Sequence, residues 1–305
     1  MDYDYDSLVS LAAVVREGGF DAAAKSLDVT QSAVSQRIKQ LEDKVGSLLI
    51  VRGRPCVPTE LGLQLCQHVE QVTLLQHELS ARLNSLIDGQ TSNAVTIRIA
   101  VNNDSIASWF PSVIKRAAHD FRVQLEIIPD DQEHTEKSLT SGNSLAVITS
   151  HEKPIQGCRR ISLGAMEYIA VASAEFYNEH FANGVSLETI KGTPCIAFDR
   201  KDTIQDQWMT LCFGETVPTL THMVPSYEGY VACCLNSTGW GIVPAIAGEP
   251  FLKSGELIEL VPGKRINISL HWHSSTQSSE IMRRLGEVVL EEARVHLLPD
   301  SFRAE

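Results

Sequence analysis

Gln31, Ser32, Ser35, Gln36 and Lys39 gather on one side of the stretch VTQSAVSQRIKQLE when it is wound as a helix. Their chemistry is hydrogen bonding from amides and hydroxyls on short stems, joined by one ammonium. Side chains this short let a helix backbone enter a groove about 12 Å wide, where amides can pair with adenine edges. Thr30 is placed to cap such a helix while its first N–H groups face a phosphate. Arg37 or Lys39 could meet phosphate or guanine. The same pattern also fits an amphipathic helix with an ordinary solvated face, so the stretch alone leaves both readings open.

Two other groupings could carry chemistry. VNNDS, residues 101–105, follows a strand candidate and opens a helix, so its backbone N–H groups suit a carboxylate. Ser105 can add a hydroxyl bond there, and Asn102 or Asn103 an amide. His271-x-His273 puts two imidazoles on one face of a strand, but no third ligand follows at a suitable spacing, and no metal is expected. No GxSxG, HExxH, Walker or dinucleotide fingerprint occurs, so no catalytic residue and no cofactor is expected, and the chain reads as a non-enzyme.

The elements that must position these groups change character along the 305 residues. Leu8, Leu11, Ala12 and Val15 mark one face of a first helix that Gly18-Gly19 ends. Asp21 is expected to cap a second, alanine-rich helix through Leu27, and DVT makes a tight turn into the third. In that third helix Val34, Ile38, Leu41 and Val45 form the apolar stripe, and Gly46 stops it. SLLIVRGRPCVP then suggests a short strand pair with a basic tip. Three helices and such a wing make a winged helix-turn-helix.

From Thr59 a long helix is expected to about Ile87, with Leu65, Val72, Leu79 and Leu86 at heptad spacing and Leu61, Val69, Leu75 and Leu83 interleaved. That seam fits a coiled coil between two chains. DGQTSN, residues 88–93, reads as a linker. Strand candidates at 95–101, 123–129, 145–150, 168–173, 195–199, 239–244 and 268–274 then alternate with helical stretches including 105–119, 227–237 and 278–297. This is an α/β signature, long enough for two small lobes.

The net charge of −12 argues against nucleic acid only if charge is counted globally. Residues 31–54 hold five Lys and Arg against two acids, a basic footprint on one small module. Seven scattered cysteines without a CxxC pair give no disulfide framework. No apolar run approaches the roughly 18–20 residues that span a bilayer. The acidic start, MDYDYDSLVS, lacks a secretory layout, so a cytoplasmic protein with no membrane partner is expected.

FDAAAKSLDVTQSAVSQRIKQLEDKVGSLLIVR, followed by PTELG and a long helix, resembles the N-terminal domain of LysR-type transcriptional regulators. The later α/β region resembles that family's effector domain, a two-lobed fold akin to periplasmic binding proteins. AVNNDSIASWF, NGVSLETIKGTPCIAFDRKD and SGELIELVPG further resemble its ArgP subfamily, responsive to arginine and lysine. The implied fold is α/β with an N-terminal all-α winged helix-turn-helix at 1–58, a linker dimerisation helix and hinge at 59–89, and an effector-binding domain at 90–305. Its lobe 1 is expected at about 94–163 and 270–305, and lobe 2 at about 164–269.

The resemblance implies a regulator of double-stranded operator DNA, working as a homodimer or homotetramer with RNA polymerase as a partner. It adds Arg52 and Arg54 on the wing as contacts to the DNA backbone or minor groove. Carried over by position, the effector contacts are Asn103, Asp104, Ser105, Trp109, Thr149, Ser150, Phe198, Asp199, Asp202, Ser226 and Glu228. A cationic side chain needs a sheltered carboxylate, and Asp104, Asp199, Asp202 and Glu228 are the candidates, which makes lysine or arginine the expected effector. SYEGY, residues 226–230, departs from the family's SSEA, and its extra aromatic and glycine put identical ligand preference in doubt. A solute-binding protein without DNA binding is the rival reading, which the attached helix-turn-helix disfavours.

Overall fold

The computed structural model describes residues 3–86, 95–121, 123–130, 139, 144–153, 155, 157–276 and 279–299, with backbone alone for 81–86 and 130. Helix α1 (Tyr5–Glu17) starts where the Asp4 carboxylate accepts from the Ser7 N–H at 3.0 Å, and left-handed Gly18 ends it. Its buried face is Leu8, Leu11 and Val14, with Ala12 and Val15 half-buried beside them. Helix α2 (Phe20–Ser26) begins one residue before the expected cap. Gly19 holds the N-cap position with no side-chain bond, and Asp21 sits in the first turn, where the helix dipole favours a carboxylate.

Helix α3 (Gln31–Val45) follows a turn in which Asp28 adopts φ +52°. Thr30 Oγ1 accepts from the Ala33 N–H at 3.2 Å, and Gly46 in the left-handed region stops the helix. Val34, Ile38 and Leu41 are buried against α1 and α2. Strands β1 (Ile50–Val51) and β2 (Val57–Pro58) pair antiparallel as the wing.

Helix α4 (Glu60–Leu86) leaves the wing tightly, because a Cβ at Gly62 would overlap the Leu49 carbonyl. Its 27 residues span about 40 Å at about 1.5 Å per residue. One face is shared between both halves of the chain. Cys66 and Val69 are buried in the helix-turn-helix core, while Leu74 is buried in the core of the α/β half. The other face keeps Leu61, Leu75 and Leu79 at 45%, 55% and 58% exposure. Val69, expected in the intermolecular seam, instead packs into its own domain, because the heptad stripe is wider than one contact can use.

The α/β half is built on β3 (Val95–Asn102), β4 (Val123–Asp130), β5 (Ala146–Thr149), β6 (Cys158–Ser173), β9 (Gly241–Pro244), β10 (Leu257–Glu259) and β11 (Ile266–Ser275). These seven share one sheet, in the order β10-β6-β11-β5-β3-β4, with β9 also on β6. Strand β3 runs parallel to both β4 and β5, whereas β6 and β11 pair antiparallel. A separate parallel pair, β7 (Pro194–Ala197) and β8 (Leu220–Met223), meets the main sheet region through a bridge from Cys195 to Trp240.

Strands β6 and β11 are long because they cross between the two lobes. At the crossing Gly164 has φ +104°, and the β6–β11 register shifts between Leu270 and His271. A side chain at Gly164 would also collide with the Leu298 carbonyl, so the strand needs glycine twice over. The sequence suggested only 168–173 of β6, because its first half is polar and broken by this glycine. The helical stretch expected at 105–119 divides into α5 (Asn103–Ala107) and α6 (Phe110–Phe121), with Pro111 in the first turn of α6. Among the described residues no helix is long and apolar enough to cross a membrane.

Candidate DNA-reading face and effector cleft

Helix α3 divides its duties by face. Thr30, Gln31, Ser32, Gln36 and Lys39 are exposed and Ser35 is half-buried, while Val34, Ile38 and Leu41 fasten the helix to its domain. The Thr30 and Ser32 hydroxyls lie 3.0 Å apart at the helix start, which orders the end that would meet a phosphate. Arg37 is turned the other way. Its guanidinium pairs with Asp6 at 3.2 Å and donates to Ser10 Oγ at 3.4 Å, tying α3 to α1. In the DNA-free chain Arg37 therefore spends its charge within the domain, unlike the exposed Lys39 beside it. On the wing, Arg52 and Arg54 are exposed, and the Arg52 guanidinium stacks over the Phe20 ring at 5.3 Å.

The effector candidates assemble from two sides. Asn103, Asp104 and Ser105 open α5 at the end of β3, and Thr149 and Ser150 lie beside them at the end of the adjacent β5. Ser105 and Trp109 are fully buried, with the indole Nε1 donating to Ser105 Oγ at 3.0 Å. Trp109 thus supports Ser105 from a buried position. Thr149 is buried too, and its hydroxyl oxygen accepts from the His151 N–H at 3.2 Å.

From the other side come Phe198, Asp199 and Asp202, just after β7, and Ser226 and Glu228 at the start of the helix Tyr227–Leu235. Two of these acids are occupied locally. Asp202 accepts from the Phe198 N–H at 3.0 Å, the Ile204 N–H at 3.2 Å and the Gln205 amide at 3.1 Å. Asp199 accepts from the N–H groups of Lys201 and Asp202 at 2.7 and 3.0 Å. Both acids organise their loop, so part of their acceptor capacity is already used there. Ser226 caps its helix by accepting from the Gly229 N–H at 3.2 Å and donates to the exposed Glu228 at 3.3 Å.

Asp104 differs from the other three acids. Its carboxylate accepts from the Tyr168 hydroxyl at 2.6 Å, and among the described residues no Lys or Arg pairs with it. Burial raises its pKa and Asp202 adds to the rise, while the Tyr168 hydrogen bond works against it. Burial first, and then Asp104, hold the Tyr168 phenol well above its ordinary range, so Tyr168 remains a proton donor. Tyr227 faces the same carboxylate, its phenol pushed up to about 12 by burial and then by Asp104 and Glu228. Asn102, at the same strand end, leaves its side-chain oxygen buried without a hydrogen-bond partner among the described residues. Sequence reasoning missed Tyr168 and Tyr227 as site residues. The only available signal was the aromatic at 227 in SYEGY.

The dimerisation candidates also separate. Leu79 is exposed, Val72 is half-buried, and Leu65 packs partly against the helix-turn-helix core. The Leu86 side chain lies outside the described residues.

Comparison with known proteins fits this geometry. The family profile described as "Bacterial regulatory helix-turn-helix protein, lysR family" matches residues 5–63, and that of "LysR substrate binding domain" matches 90–294. The HTH-type transcriptional regulator ArgP of Pseudomonas aeruginosa is 38% identical over 95% of this chain and 96% of its own. LysG of Mycobacterium tuberculosis is 35% identical over 94% of this chain and 92% of its own. Among solved structures, ArgP from Mycobacterium tuberculosis superposes with a TM-score of 0.83 at 34% identity, covering 98% of this chain and all of that one. Full-length LysG from Corynebacterium glutamicum with bound effector Arg gives 0.75 at 31% identity, over 97% of this chain and 100% of that one. With both halves matched in order, the chain belongs to the LysR family of DNA-binding transcriptional regulators.

Proposed function

We propose that this regulator reads operator DNA through α3 and the wing and answers to a basic amino acid, arginine or lysine, held between its lobes. Asp104 carries the effector reading: a sheltered carboxylate whose donor is a neutral phenol, with no cation of its own among the described residues. An effector with a cationic side chain supplies that missing charge. The arginine bound to the Corynebacterium glutamicum LysG supports the same ligand class.

On the DNA side, Gln31, Ser32, Ser35 and Gln36 reach base edges, while Thr30, Lys39, Arg52 and Arg54 hold the phosphates. Leu61, Leu75 and Leu79, with Val72, form the seam of a two-fold dimer through α4, so paired α3 helices meet a dyad-symmetric site in the cytoplasm. Tetramers spanning two such sites, and contact with RNA polymerase, complete the reading. The functional units are residues 1–58, 59–89 and 90–305, with the lobes exchanging at Gly164 and near Leu270.

The test is calorimetric titration with L-arginine and with its uncharged isostere L-citrulline. The wild-type chain is expected to bind arginine well above citrulline, and Asp104→Asn to lose that preference. Equal affinity for both ligands in the wild type would remove the cationic effector.

A further inference from the structure

We infer that Tyr168 is the positioning residue for effector recognition, holding the Asp104 carboxylate in place to receive the effector's side-chain cation. The inference rests on the basic amino acid reading above and assigns the residue that makes Asp104 selective. Tyr168 lies on β6 past the Gly164 crossing, where it pairs with Pro244 of β9 and Ile266 of β11. Asp104 lies on α5, at the end of β3. Their 2.6 Å hydrogen bond therefore ties the β9 side of the crossing to the β3 side.

A carboxylate has about four acceptor positions, and an ionised one offers no donor. The phenol fills one position on Oδ2 and fixes the plane of the group. That leaves acceptor capacity for an ammonium or guanidinium, and Asn102, two residues earlier at the end of β3, has a buried side-chain oxygen without a partner among the described residues. Tyr168 is itself buried and pinned in a paired strand, so its hydroxyl cannot swing away when the cation arrives. The titratable groups facing Asp104 are Tyr168 from β6, Asp202 from the loop after β7, and Tyr227 from the helix Tyr227–Leu235. None of these is a base that would neutralise it.

Proton linkage gives a readout that a purely structural tyrosine would not move. The Asp104 pKa is raised in the folded chain, and a bound cation lowers it again. Where the free carboxyl is protonated, binding expels a proton, so affinity for arginine strengthens as pH rises through the titration of Asp104. Removing the phenol hydroxyl raises that pKa further and takes away a hydrogen bond to a charged group.

The experiment is calorimetry of the full-length chain with L-arginine across pH, for wild type, Tyr168→Phe and Tyr230→Phe. Tyr168→Phe is expected to bind about tenfold to a hundredfold more weakly at neutral pH, with its affinity profile moved to higher pH. Tyr230→Phe removes another buried hydroxyl, one that donates to the Ile196 carbonyl, and is expected to keep the wild-type profile. If Tyr168→Phe does not fold, the wild type still decides: its affinity must rise with pH, and Asp104→Asn must flatten that rise. Unchanged affinity and profile in Tyr168→Phe, or a flat wild-type profile, overturns the inference while leaving a basic effector in place. A wild type that binds neither arginine nor lysine at any pH removes the effector reading itself.

Discussion

Replacing Leu75 and Leu79 together by serine tests the dimer seam and can be sized from the structure. The two side chains keep 55% and 58% of their surface exposed in the single chain. Full burial of a leucine is worth roughly 1.5–3 kcal/mol, so covering the exposed half gives about 1 kcal/mol each. A two-fold interface covers both positions twice, so the double substitution removes about 4 kcal/mol from the dimer. At about 1.4 kcal/mol per factor of ten, the dimer dissociation constant rises about a thousandfold. Sedimentation equilibrium over a range of protein concentrations measures it directly. Val69→Ala is the comparison, because Val69 is buried in its own helix-turn-helix core and should lower Tm without loosening the dimer. An unchanged dissociation constant in the double variant would place the interface away from this face of α4.

Ser35→Glu sets a carboxylate against the phosphates and should abolish specific operator binding in a mobility-shift assay, whereas wild-type binding falls steeply with salt. Retained operator affinity would move the reading face elsewhere. Asp202→Ala should cost stability, since it strips acceptors from the Phe198 and Ile204 N–H groups. Its arginine affinity should change far less than that of Asp104→Asn, and calorimetry showing the reverse would make Asp202 the cation partner. Gly164→Ala should lower Tm by several degrees, as left-handed backbone costs a non-glycine residue about 1–3 kcal/mol and the new Cβ meets the Leu298 carbonyl. A wild-type Tm would mean that the crossing tolerates a side chain.

The helix-turn-helix is legible because its signals are local. The Thr30 cap, the stripe Val34, Ile38 and Leu41, and the Gly46 stop are each written within a few residues of one another. Arg37 is less legible, since its partner Asp6 belongs to another helix. The four acids of the effector half look alike as letters, and their division arises from tertiary structure. Asp199 and Asp202 face N–H groups of their own loop, whereas Asp104 meets a tyrosine 64 positions away. Tyr168 is hidden for the same reason, because an aromatic in a strand reads as core. Val69 shows the limit of periodicity, since a heptad stripe does not say which of two neighbours will cover it.

The most direct test of the central claim, that a LysR-family chain senses a basic amino acid, is thermal denaturation of the full-length protein against each of the twenty amino acids. A ligand that binds the native state at about a hundred times its Kd adds about 2.7 kcal/mol. The account predicts a raised Tm with arginine, lysine or both, and no rise with neutral or acidic amino acids. A rise confined to neutral or acidic amino acids would contradict it.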